Sequence, residues 1–100
     1  MIEKNSLTTY TEKLRSHLPQ LREMYGVSEI SIFGSVARRD NKQSSDMDVL
    51  VSFRETPSLF SLEKLRRYLN EILQVRVDVV VDDELEPDFR ERILKERVKI

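Results

Sequence analysis

Three short segments hold the residues able to do chemistry. Gly34-Ser35 closes on the apolar run EISIF. Ten residues intervene before Asp46-Met47-Asp48 opens the run DMDVLVSF. A third acid, Asp78, interrupts the valines of VRVDVVV at 75–81. Side chains alternate across a strand, so Asp46 and Asp48 share a face. Two carboxylates at that spacing repel each other, and in a half-buried strand they cost free energy unless a cation lies between them. Magnesium meets that need. It is a hard ion with oxygen ligands, commonly held by one or two carboxylates plus substrate phosphates. With two ions about 3.5–4 Å apart, one activates an incoming hydroxyl and the other stabilises the leaving oxygen. If the second and third strands are neighbours with their Val and Met faces on helices, Asp78 joins Asp46 and Asp48 on the opposite face. The three acids then make a two-metal site.

Gly34 and Ser35 supply the other half of such a site. Glycine lets a phosphate approach the backbone closely. The turn that follows aims N–H groups and the Ser35 hydroxyl at an anion. Arg38 lies one helical turn beyond Ser35, within reach of a phosphate oxygen. Taken singly, each feature has a plainer reading. A Gly-Ser pair is commonly a turn, and Asp-x-Asp a solvated strand end or a calcium-like loop. Arg38 alone is a surface ion pair worth about 0–1 kcal/mol, and Asp78 alone a helix or turn partner. The spacing of all of them together carries the assignment.

The elements that must position these residues are legible from periodicity. Leu7, Tyr10, Leu14, Leu18, Leu21 and Met24 or Tyr25 mark a helix over 7–25, capped by Thr8 or Thr9, broken or kinked at Pro19 and stopped at Gly26. Strands follow at 29–34, 46–53 and 75–81. A helical turn over 36–38 and a polar loop over 39–45 separate the first two. Thr56-Pro57-Ser58 starts a helix that runs to about Leu73, with Leu59, Leu62, Leu65, Leu69 and Ile72 as its apolar stripe. After an acidic connection from Asp82 to Asp88, Pro87 opens a last helix over 87–97 that packs through Phe89, Ile93 and Leu94.

Length and composition bound what surrounds the site. One hundred residues make a single domain with one modest core. The 17 basic and 18 acidic residues leave a net charge of −1, and neither half of the chain is strongly basic, so direct nucleic-acid binding is not expected. With no cysteine, thiolate zinc sites and cysteine nucleophiles are excluded. The single His17 excludes a multi-histidine metal site and reads as a surface helical residue. No apolar run is long enough to span a membrane, and the first ten residues lack a signal-peptide core. A soluble cytoplasmic protein is the expectation.

Read together, IFGSVARRD, SSDMDVLVSF and VRVDVVV resemble the minimal nucleotidyltransferase (MNT) domain of the DNA polymerase beta-like superfamily. That pattern is Gly-Ser, about ten residues, Asp-x-Asp, then an Asp on a later strand. Here it falls on Gly34, Ser35, Asp46, Asp48 and Asp78. The likeness runs over nearly the whole chain and includes MYGV in the leading helix, the arginine after Gly-Ser-x-Ala, and the serine before Asp46.

The resemblance implies an α+β fold, a small mixed sheet flanked by helices. It implies ATP as substrate and two magnesium ions, with Asp46, Asp48 and Asp78 as catalytic metal ligands and Gly34, Ser35 and Arg38 on the nucleotide. Single-domain members are typically prokaryotic antitoxins paired with a helical HEPN-domain ribonuclease toxin. They transfer AMP to a tyrosine hydroxyl of that toxin, so a hetero-oligomer is implied. Three alternatives stand beside this reading: an antitoxin acting by contact alone, transfer to another protein, RNA end or small molecule, and a plain α+β domain whose acids are merely solvated.

Overall fold

The computed structural model describes residues 6–42 and 46–100. The first helical stretch is two helices, α1 (Leu7–Ser16) and α2 (Leu18–Tyr25). Pro19 sits in the first turn of α2, where its missing N–H costs nothing. His17 therefore lies at the junction rather than within a helix, with its ring edge against Tyr68. The N-terminal cap is Ser6, not Thr8 or Thr9: its hydroxyl accepts from the Thr9 N–H at 3.2 Å. Gly26 ends α2 in the left-handed conformation.

β1 (Val27–Phe33) starts two residues before the expected strand. Val27 and Ile30 both point into the core, a spacing of three that strict alternation forbids. A register shift between Val27 and Glu29 reconciles them. A four-residue helix, α3 (Ser35–Arg38), follows, its Val36 buried in the main core. β2 (Met47–Phe53), α4 (Leu59–Leu73) and β3 (Val77–Val81) form a parallel crossover unit. Ser58 caps α4 through the Ser61 N–H at 3.0 Å, which leaves Pro57 just outside the helix. A 3-10 turn (Asp82–Glu84) leads into α5 (Pro87–Glu96) and a two-residue strand, β4 (Val98–Lys99), that the sequence does not signal.

The sheet order is β3-β2-β1-β4, with β2 and β3 parallel and the other pairs antiparallel. The α+β architecture expected from the sequence, a small mixed sheet flanked by helices, is the one observed. One face is covered by α1, α2 and α4, where Tyr10, Leu14, Leu21, Leu65, Leu69 and Leu73 pack on Ile30, Ile32, Met47, Val49, Val51 and Val77. Leu59 does not belong to that stripe; it is 85% exposed. On the other face α5 covers only a strip, with Ile93 against Phe33 and Leu50. At the end where β2 and β3 begin, Asp46 and Asp78 are exposed. Among the described residues no helix is long and apolar enough to cross a membrane.

Candidate active site

The alternation that buries Met47, Val49 and Val51 turns Asp48 to the opposite, sparsely covered face. Val77 and Val79 do the same for Asp78 on the neighbouring strand. In the parallel register Asp48 and Asp78 stand directly abreast. Asp46 precedes β2 by one residue and is exposed. The mouth of this strand pair is fastened twice. The Met47 N–H donates to the Arg76 carbonyl at 2.9 Å, and the Val77 N–H donates to Asn70 Oδ1 of α4 at 2.8 Å. Ser45, part of the motif, lies outside the described residues.

Gly34 meets this pair from β1. Phe33 is the register partner of Asp48, so the turn after it lies over the Asp48 carboxylate. A Cβ at Gly34 would collide with Asp48 Oδ2, and its φ of +77° is one that other residues rarely adopt. The backbone conformation favours glycine, and any Cβ there would displace the Asp48 carboxylate. Ser35, half-buried, begins α3 immediately beyond. Val36 plugs into the core below, so the turn is held from beneath.

Arg38 is exposed at the end of α3. Its Nε donates to Asp40 at 3.2 Å and its Nη1 lies 3.4 Å from both carboxylate oxygens of Glu96. Glu96 Oε1 also accepts from the Gly34 N–H at 3.2 Å. Gly34, Ser35, Arg38, Asp48, Phe89 and Glu96 line a cleft of about 320 Å³ between α3 and α5. A larger hollow of about 530 Å³ lies at the far end of β2, around Arg54, Glu55 and Ser58. It lacks the paired acids and the glycine turn.

The electrostatics single out Asp48. Burial pushes its carboxyl above the usual range, and the nearby charges of Asp78 and Asp46 push the same way. Arg38 opposes the shift and Glu96 adds to it. Placing this acid among acids raises its free energy in the ionised form, a cost that a divalent cation reverses. The donors are carboxylate oxygens, which suit magnesium. Among the described residues, no three acidic or histidine side chains are drawn together as a closed metal cage. Magnesium does not need one, since it binds through one or two carboxylates and completes its shell with water and substrate phosphates. Asp48, with Asp78 abreast of it and Asp46 just before β2, offers oxygens of that kind.

Two residues of this neighbourhood escape a reading of the sequence. Glu96 is 62 residues from Gly34 and belongs to a segment, 90–99, that reads as a basic solvated face. Asn70 lies on a helix whose apolar stripe draws the attention. Neither position carries a motif; only the folded arrangement brings them to the site.

A family model for the nucleotidyltransferase domain matches residues 14–100. The protein adenylyltransferase MntA of Thermococcus cleftensis is 41% identical over 87 residues, spanning 87% of this chain and 88% of that one. A solved structure of a candidate minimal nucleotidyltransferase superposes with a TM-score of 0.82 at 35% identity, over 95% of this chain and 96% of the other. The MNT antitoxin complex with the tri-AMPylated Shewanella oneidensis HEPN toxin gives a TM-score of 0.67 at 17% identity, over 90% of this chain and 70% of that one. At that identity the likeness is one of fold. The paired strands, the glycine turn and a match over most of the sequence lead to one conclusion: this chain belongs to the nucleotidyltransferase domain family.

Proposed function

We propose that residues 1–100 act as one minimal protein adenylyltransferase, an antitoxin that transfers AMP from ATP to a tyrosine hydroxyl of a HEPN-domain toxin. The observation that carries this reading is the juxtaposition of the Gly34-Ser35 turn with Asp48 and, abreast of it, Asp78. The name of the Thermococcus cleftensis relative, at 41% identity, supports protein adenylyl transfer. The fold shared with an MNT antitoxin bound to an AMPylated HEPN toxin supports the partner.

In this reading Gly34 and Ser35 hold the terminal phosphates through the turn N–H groups and the serine hydroxyl, and Arg38 adds charge. Asp46, Asp48 and Asp78 would hold two magnesium ions, which would neutralise the charge that develops during transfer. Asp78, exposed and abreast of Asp48, orients the acceptor hydroxyl and takes its proton. The hydroxyl oxygen bonds to the α-phosphorus, and the bond from that phosphorus to the bridging oxygen breaks. Pyrophosphate leaves and AMP stays on the tyrosine.

The test is intact-mass spectrometry of a cognate HEPN-domain protein after incubation with this chain, ATP and magnesium. The expected result is a mass gain in whole AMP units, absent with an Asp46→Asn/Asp48→Asn variant. An unmodified partner that still forms a complex would replace this reading with an antitoxin acting by contact. Peptide mapping that placed AMP on another residue would overturn the tyrosine assignment.

A further inference from the structure

The groups assigned to the nucleotide's phosphates already have an anion on them. Glu96, the last residue of α5, places one carboxylate oxygen 3.2 Å from the Gly34 nitrogen, and both its oxygens 3.4 Å from Arg38 Nη1. A carboxylate and a phosphate oxygen pair use the same donors in the same way. Glu96 is also held there firmly. Ile93, one turn earlier, is buried against Phe33 and Leu50. Val98, two residues later, pairs with Ile32 of β1, and the Ile100 N–H donates to the Ile30 carbonyl at 3.0 Å. The backbone around Glu96 is thus fixed by packing on one side and by the sheet on the other, while its side chain remains a third exposed. A polyphosphate therefore does not need α5 to move; it needs the Glu96 side chain to turn away.

We infer that Glu96 is an internal stand-in for phosphate, occupying the Gly34 and Arg38 donors and lowering the affinity of the site for the polyphosphate of its nucleotide. The inference rests on the proposed nucleotide site and deepens it by naming a residue that sets its affinity. The apparent affinity of a site falls by the fraction of time it is competent. A seat held by Glu96 about nine-tenths of the time weakens binding about tenfold. The competition concerns phosphates, so it is felt equally by ATP and by inorganic tripolyphosphate.

Calorimetric titration of the full chain in magnesium, with ATP and separately with tripolyphosphate, tests this. Three variants accompany the parent: Glu96→Ala, Glu96→Asp and Glu91→Gln. Aspartate keeps the charge but is one methylene too short to reach the seat. Glu91 is exposed, pairs with Lys95 and lies outside the cleft lining. Glu96→Ala and Glu96→Asp should each bind both ligands about tenfold more tightly, with Glu91→Gln like the parent. Tighter binding by Glu96→Ala alone would assign the effect to long-range charge and overturn the inference. Weaker binding by both would make Glu96 a support for the turn and also overturn it. If no form bound either ligand, the nucleotide site itself would fall; if the parent bound and the Glu96 variants matched it, this inference alone would fall. Thermal melts of each variant exclude unfolding as the cause.

Discussion

Asp48 is asked for two incompatible things. Stability favours a neutral group there, since burial and the charges of Asp78 and Asp46 all disfavour the carboxylate. The proposed chemistry needs the carboxylate as an oxygen donor to a cation. Asp48→Asn separates the two demands. With a chelator present, the variant should melt a few degrees above the parent, because a repelled charge has gone while the shape is kept. Added magnesium should raise the melting temperature of the parent and leave the variant unmoved. Transfer of AMP should fall about a thousandfold or more, the loss of several kcal/mol of charge stabilisation. A variant less stable than the parent in chelator would show that Asp48 makes a structural contact the repulsion does not outweigh. Gly34 is bound to the same residue from above: its missing Cβ is the space the Asp48 carboxylate occupies.

At the scale of elements, the site depends on how two strands are fastened at their open ends. Asn70 connects α4 to β3 through the Val77 N–H, beside which Asp78 begins the exposed edge. Val77 is fully buried, so removing its acceptor leaves an unsatisfied N–H at a cost of about 1–3 kcal/mol. Asn70→Ala should show that loss in chemical denaturation. It should also lower the rate of AMP transfer more than the affinity for ATP, because it loosens Asp78 and spares the Gly34 turn. Equal losses in rate and affinity would disprove such a local role.

Which parts of this arrangement were legible in the sequence follows the same division. Asp48 and Asp78 fall on the open face because period-two alternation buries their neighbours, and alternation is written in the residue types. Leu65 and Leu69 were legible in the same way at helical spacing. The start of β1 was not, because a bulge lets Val27 and Ile30 face the same way. Leu59 continues the stripe in sequence but is exposed in the fold. β4 exists only through its pairing with β1, and Glu96 reaches Gly34 only because that pairing and Ile93 bring it there. Contacts between distant segments leave no local spacing to read.

Over the whole molecule the net charge of −1 conceals acids shifted in opposite directions. Asp82 links three elements: it accepts from Ser52 of β2 at 3.2 Å and is paired with Arg90 of α5. The Arg90 guanidinium holds its carboxyl below the usual range against the effect of burial, with the Ser52 hydroxyl assisting. Glu63, hydrogen-bonded to Arg66 and then Arg67 on α4, is held down to about 2. A lowered folded pKa gives stability that is complete above the unfolded value and lost as pH falls through the folded one. Asp48 has the reverse sign. Its raised pKa means the folded state binds the proton more tightly, so stability is gained as pH falls through its folded value toward the ordinary carboxylate range. In chelator, melting temperature should therefore rise from neutral pH into mild acid, reach a maximum, and fall below about pH 4, where unfolded carboxylates take up protons. Asp48→Asn should remove the rise and keep the acid fall. Asp82→Asn should keep the rise and flatten part of the fall, since the tie between β2 and α5 has already been cut. A parent profile flat from neutral pH to mild acid would mean that the repulsion at the mouth of β2 and β3 is relieved by solvent, and that cation binding there gains nothing from it.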